Sequence, residues 1–109
     1  MKFNSDIVAL AQKNDYFRQE VVTGEYNQVV LMSIPPGSEI GEETHPDRDQ
    51  VLVFVAGDGK AILNGESQPV VTNSLCFVPA GTKHNFINTG SSDLKLFTVY
   101  APPEHAPGT

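Results

Sequence analysis

After about residue 16 the chain consists of short runs of β-branched and aromatic residues, each of which ends at a turn. Clusters of Gly, Pro, Asn and Ser mark the turns, and Asn64-Gly65 is the strongest hairpin signal among them. Eight or nine short strands at nearly even spacing are typical of a β-sandwich or barrel. The sequence therefore predicts an all-β fold. The predicted strands are residues 17–22, 28–34, 39–45, 50–56, 60–63, 68–71, 75–78, 85–88 and 94–100.

The two ends of the chain have different patterns. Residues 1–15 carry apolar side chains at helical spacing, which predicts a short helical segment with Ser5 or Asn4 as its N-cap. Asp6 then falls in the first turn, where a carboxylate is favourable. Residues 101–109 are rich in proline, so we expect an extended tail.

Length, charge and cysteine content limit which partners the protein can bind and in which cellular compartment it is expected. A chain of 109 residues is expected to form one domain over 1–109, and its net charge of −6 argues against nucleic-acid binding. No apolar run approaches the ~20 residues of a membrane span. A single cysteine, Cys76, excludes an internal disulfide and a cysteine-based zinc site, and is most simply a small buried hydrophobe. We therefore expect a cytoplasmic protein whose partner is a small molecule.

Two segments carry side chains suited to metal chemistry. His84 follows a Pro/Gly turn at the start of a predicted strand, and Glu43 and His45 lie two residues apart in another. Strand residues two apart share a face, so the last two would point into the same space. Imidazole and carboxylate together suit Fe, Mn, Zn or Ni in sites with open positions. A metal site is predicted here if the two strands meet.

The segment 79–88 resembles the second motif of the cupin family, whose members are small double-stranded β-helices (jelly rolls). Pro79, Gly81, His84 and Asn88 match that motif, and Asn73 stands where its first glycine would be. The resemblance covers roughly residues 33–100.

The first cupin motif is matched in spacing more than in identity. Gly37 and Gly57 fit its two outer glycines. Counting inward from them, Glu43 and His45 stand at the positions of the two histidines, and Gln50 stands at the position of the glutamate. The chain therefore departs from the usual three imidazoles and one carboxylate.

The resemblance implies a cupin-type jelly roll that holds one divalent transition metal. Its ligands would be Glu43, His45, Gln50 and His84. The first, second and fourth of these supply two imidazoles and one carboxylate. Gln50 would either coordinate the metal or bond to a metal-bound water. Glu43 would either ligate or act as a general base, so it is also the candidate catalytic residue.

Some assignments stay open. Glu42 or Asp47 could coordinate in place of Glu43. His105, in the tail, is expected to be exposed to solvent. Three apolar residues are expected to form the wall of the substrate pocket, namely Leu52, Phe54 and Phe86.

The family implies dioxygenase, isomerase or lyase chemistry on a small oxygen-rich organic substrate. The alternative is a small-ligand binding or sensing module whose metal is structural or absent. An isomerase of sugar phosphates would need basic residues for the phosphate, and only Arg48 and Lys83 are candidates. We therefore favour a metal-dependent enzyme that acts on another class of substrate.

The predicted strand 50–56 is apolar on both faces. If Gln50 faces inward, then Val51, Val53 and Val55 face outward. An apolar outer face needs a cover. The N-terminal helix, a neighbouring loop or a second copy of the chain could provide it, so a homodimer is one of the predictions.

Overall fold

The structure, a computed structural model, describes residues 3–106 and 108–109. Residues 1, 2 and 107, which belong to the predicted helical segment and tail, lie outside the described residues. The elements in chain order are α1 (Ile7–Lys13), β1 (Arg18–Thr23), β2 (Gln28–Ile34), β3 (Asp49–Ala56), β4 (Gly59–Leu63), β5 (Glu66–Val70), β6 (Leu75–Val78), β7 (His84–Asn88) and β8 (Leu94–Ala101).

The strands form two antiparallel sheets. The larger has the order β1-β2-β8-β3-β6, and the smaller has the order β5-β4-β7. Buried side chains from both sheets share one core, in which the rings of Phe54 and Phe86 lie 5.9 Å apart. This confirms the predicted all-β, cupin-type jelly roll with a short N-terminal helix. The alternative of a closed barrel is wrong, because the strands of the described residues form two separate sheets.

Strict alternation of buried residues builds the core. On β8 every second side chain from Leu94 to Tyr100 is buried, and β3 follows the same period from Gln50 to Phe54. Each fully buried large apolar side chain contributes roughly 1.5–3 kcal/mol, so these rows contribute much of the free energy of folding. The inward orientation predicted for Gln50, Leu52 and Phe54 is confirmed.

The predicted strand 39–45 is the main error. Only Glu39 and Glu43 form isolated bridges there, with Ile87 and His84 of β7. Gly41 lies between them with a φ of +107°, a conformation that interrupts an extended strand. Glu43 and His45 therefore lie on a loop that β7 holds in place.

The helix begins at Ile7, which is one residue later than a cap at Ser5 would give. Asp6 is the cap, since its carboxylate accepts a hydrogen bond of 3.1 Å from the backbone N–H of Ala9. The expectation of Ser5 or Asn4 is wrong because the first helical residue is Ile7.

Two turns show why asparagine stands where it does. Asn64 and Gly65, with φ angles of +49° and +84°, join β4 to β5 in the predicted hairpin. Asn73 has a φ of +75°. Asparagine tolerates this left-handed region better than other non-glycine residues. Position 73, where the motif has glycine, therefore has a backbone conformation that glycine also adopts readily.

The outer face of the larger sheet is covered only in part. Val55 is buried against Ala11 of α1, so the helix accounts for this valine. Val51 and Val53 remain half-buried. Their partners on β6 are Phe77 and Leu75, which are 51% and 64% exposed. Among the described residues, no helix has the length and hydropathy that crossing a bilayer requires.

We predict that a second copy of the chain covers this strip of β3 and β6. Sedimentation at micromolar concentration is expected to give a dimer, and Phe77→Asp is expected to give a monomer because it places a charge in an apolar contact. Tyr26→Asp is the control, since Tyr26 is an exposed aromatic on the distant β1–β2 turn. A monomeric wild-type protein would remove the idea.

Candidate metal and ligand site

Backbone hydrogen bonds hold the loop of the first motif against β7 and the turn before it, and three of them involve candidate ligands. Glu43 and His84 exchange two bonds of 2.9 Å between N–H and carbonyl, and Gly81 donates one of 2.8 Å to the carbonyl of His45. Asn85 adds a side-chain bond, because its Oδ1 accepts from the N–H of Gly41 at 2.9 Å. The loop is therefore positioned by main-chain geometry.

The loop brings Glu43, His45 and His84 together. The Oε2 atom of Glu43 lies 3.2 Å from the Nε2 atom of His45, and the two imidazole rings are 5.2 Å apart. Two donors about 2.1 Å from one octahedral ion lie roughly 3 Å apart. The separation of Glu43 and His45 is therefore compatible with a shared ion.

A carbonyl sets the tautomer of His84. Its Nδ1 atom lies 2.8 Å from the carbonyl oxygen of Thr82. Because a carbonyl can only accept, Nδ1 carries the proton and donates it. Nε2 keeps its lone pair, as a metal-binding imidazole requires.

The amide of Gln50 is held in one orientation. The hydroxyl of Thr98 donates to the carbonyl of Val51 at 2.8 Å, so it can only accept from Gln50. The Gln50 Nε2 atom donates to it at 3.0 Å. The Oε1 atom is buried and has no hydrogen-bond partner within the part of the chain that the structure describes. An unpaired buried acceptor is costly, which makes this oxygen a candidate ligand.

The donor chemistry fits a divalent transition metal, but the donors are not preassembled. Two imidazoles, a carboxylate and an unpaired amide oxygen are suitable ligands. Within residues 3–106 and 108–109, no group of three or more His, Cys, Asp or Glu side chains is arranged to hold an ion. The four-ligand site of Glu43, His45, Gln50 and His84 stays a prediction, and metal binding would require side-chain rotation.

The other predicted residues are distributed as follows. Glu42 lies 3.6 Å from the Nζ atom of Lys83, and Asp47 lies 3.0 Å from the Nε atom of Arg48, so both alternative carboxylates have other partners. The ring of Phe86 is 6.0 Å from that of His84. Phe54 and Leu52 are fully buried in the shared core.

Cavity volume does not identify the site. A pocket of about 330 Å³ lies between β5 and β6 and includes Cys76 but none of the predicted ligands. Cys76 is half-buried, and burial raises the pKa of its thiol, which favours the protonated form. A smaller pocket of about 110 Å³ includes His84, Lys83 and Glu42. The donor atoms are better evidence for the site than either volume.

The end of β8 and the tail supply site residues that the sequence analysis missed. Tyr100 is buried, and its ring packs edge-on against His45 at 6.1 Å and against His105 at 5.2 Å. The expectation that His105 is exposed is therefore wrong, and burial lowers its pKa. The pKa of Tyr100 is raised, first by burial and then by Glu43 and Glu104, so its hydroxyl stays protonated.

Gln28, at the start of β2, holds the tail in place. Its fully buried amide accepts from the backbone N–H groups of Glu104 and His105 at 3.1 and 2.9 Å, and donates to the His105 carbonyl at 2.6 Å. The carboxylate of Glu104 contacts Arg48 at 2.8 Å and lies 3.6 Å from the Nδ1 atom of His45. The Pro-rich segment is thus folded back beside the site. No local feature of the sequence indicates this placement.

A family model described as "Cupin domain" matches residues 30–100 of the chain. The chain belongs to the cupin family. YrkC of Bacillus subtilis, an uncharacterized protein, is 42% identical in an alignment of 114 positions that covers 98% of this chain and 61% of YrkC. This cupin therefore spans about three fifths of the length of the curated relatives that it matches first.

Two further comparisons concern fold and ligand class. The crystal structure of BH2720 from Bacillus halodurans has a TM-score of 0.99 and 38% identity, covering 100% of this chain and 87% of BH2720. A protein of Thermotoga maritima called an oxalate-binding protein is 32% identical over 68 residues, which are 62% of this chain and 56% of that protein.

We predict that Gln28→Ala destabilises the cupin by about 1–3 kcal/mol, because it leaves buried backbone groups of the tail without partners. Urea unfolding measures this change, and proteolysis of the tail should become faster. Gln19→Ala on β1 is the control and should change the free energy of unfolding by less than about 0.5 kcal/mol, because within the described residues the side chain of Gln19 bonds only to the neighbouring Glu20 carbonyl. Equal stability of the two variants would contradict the role of Gln28.

Proposed function

We propose that this cupin binds one divalent transition metal through Glu43, His45 and His84 and acts on a small oxygen-rich organic substrate. Fe, Mn, Zn and Ni all suit two imidazoles and one carboxylate. The supporting observation is the approach of these three side chains at one end of the two sheets. The unpaired oxygen of Gln50 supplies a fourth donor or an acceptor for a bound water.

The residues around the ligands have defined tasks in this proposal. The Thr82 carbonyl keeps the proton of His84 on Nδ1, and Thr98 turns the amide oxygen of Gln50 away from itself. The side chain of Glu43 is 44% exposed, so its carboxylate can reach solvent and a substrate. It can therefore ligate, or accept a proton as a general base.

The bound metal would supply Lewis acidity that polarises a substrate oxygen. Tyr100, which stays protonated beside His45, can hydrogen-bond a substrate oxygen without adding a negative charge. The family implies dioxygenase, isomerase or lyase chemistry, and the name of the Thermotoga relative adds small organic acids as a ligand class. Nucleic acid is a poor partner for a chain of net charge −6.

A non-catalytic binding or sensing module is the second candidate. Two observations favour it, namely that the His, Asp and Glu donors of the described residues are not preassembled and that one relative is called a binding protein. The two functions differ in turnover. Oxygen consumption and loss of added organic acids, compared between metal-loaded and metal-free protein, would separate them.

We predict that Glu43→Gln lowers metal affinity at least about 10-fold, since it removes the anionic ligand, whereas Gln50→Glu retains or tightens binding because it adds one. His84→Ala should lose metal and keep the fold, because aliphatic and aromatic burial builds the core. Elemental analysis and thermal melts measure both properties.

Glu42→Gln is the matched control for the change of charge, because Glu42 neighbours Glu43 and pairs with Lys83 instead. It should leave metal content unchanged. Equal metal occupancy in the wild type and in Glu43→Gln would show that this carboxylate is not a ligand.

A further inference from the structure

The carboxylate of Glu104 lies between an arginine and a histidine of the site. Its Oε2 atom is 2.8 Å from Nη1 of Arg48, and its Oε1 atom is 3.6 Å from Nδ1 of His45. The three side chains are only 24%, 17% and 11% exposed. Contacts between charged groups are stronger in such shielded surroundings than on an open surface.

The guanidinium of Arg48 has two different edges. On one edge Nε and Nη2 donate to Asp47 at 3.0 and 3.2 Å, and the side chain of Asp47 is 66% exposed. On the other side Nη1 contacts Glu104 and also donates to the Pro103 carbonyl. One carboxylate is thus on the solvent side, and the other faces His45.

We infer that the side of Arg48 facing His45 is the carboxylate subsite of the ligand site, and that Glu104 is its built-in occupant. The inference rests on the proposed function and names its substrate class, small 2-hydroxy or 2-oxo acids. On this side Nη1 offers a carboxylate a charged N–H donor, while Nε and Nη2 hold Asp47. The ligand carboxylate displaces that of Glu104, and the 2-oxygen points toward His45.

The displacement requires only one side chain to rotate. Gln28 binds the backbone of Glu104 and His105 on both donor and acceptor groups, so the main chain stays in place when the carboxylate leaves. The side chain of Glu104 is partly exposed and can turn toward solvent.

The exchange also gives selectivity. One carboxylate replaces another at Arg48, so an acid binds without adding an unpaired charge to the site. A neutral analogue cannot offer the guanidinium an equivalent partner, and Glu104 then stays bound. The pair thus selects acids over neutral analogues of the same shape.

The test uses metal-free protein and two probes of equal shape, glycolate and its neutral amide glycolamide. Titrations followed by amide NMR give both dissociation constants. Glu104→Gln is expected to bind glycolate about 10-fold more tightly than the wild type, because the competing carboxylate is gone. The affinity for glycolamide should rise by a smaller factor, because a neutral amide gains no ion pair with the guanidinium.

Asp47→Asn is the matched control, since it makes the same change of net charge at the same guanidinium on its solvent side. Its affinity for glycolate should stay within about twofold of the wild type. Equal tightening in Asp47→Asn and Glu104→Gln would overturn the inference, because net charge alone would then explain the result.

Arg48→Lys provides a second measurement that leaves Glu104 in place. It keeps the charge, but an ammonium group cannot hold Asp47 on one edge and present a fixed donor on the other, so glycolate binding should weaken about threefold or more. Unchanged binding would also overturn the inference. Because no metal is present, these outcomes are independent of whether elemental analysis supports the proposed metal site.

Discussion

The pair of backbone hydrogen bonds between Glu43 and His84 is the constraint on which the site depends. The first motif lies on a loop, and a loop alone does not hold a side chain at a fixed place. The two bonds of 2.9 Å join this loop to β7 and so align residues that are about forty positions apart in the chain. The side chains of Glu43 and His45 on the loop therefore lie near that of His84 on β7. This placement does not depend on which ion or ligand the site binds.

Local backbone requirements made much of the fold predictable. The Asn64-Gly65 hairpin and the alternation along β3 follow from conformational preferences that act within a few residues. The predicted strand 39–45 failed for a local reason as well, since Gly41 has a φ of +107° and interrupts the extended conformation. Even so, Glu43 and His45 are close together, because residues two apart can meet in a loop as well as on a strand.

The part of the site built by the tail could not be predicted from the sequence. Gln28 and its partners Glu104 and His105 are separated by 76 and 77 residues. Nothing near Gln28 distinguishes it from the other polar residues of the strands. Its burial depends on how β2 and the tail are placed relative to one another, and that placement is a property of the whole fold. Composition correctly described the tail as Pro-rich but gave no information about where it lies.

The attachment of α1 has a consequence for the order of folding. The helix has seven residues, too few to be stable alone. Lys95 of β8 donates to the carbonyls of Gln12 and Asn14 at its end, and Val55 of β3 is part of the cluster on which it packs. The helix therefore depends for its stability on the paired strands β3 and β8, and we expect it to form late in folding. Substitutions at Lys95 should then accelerate unfolding more than they slow folding, as a chevron plot would show.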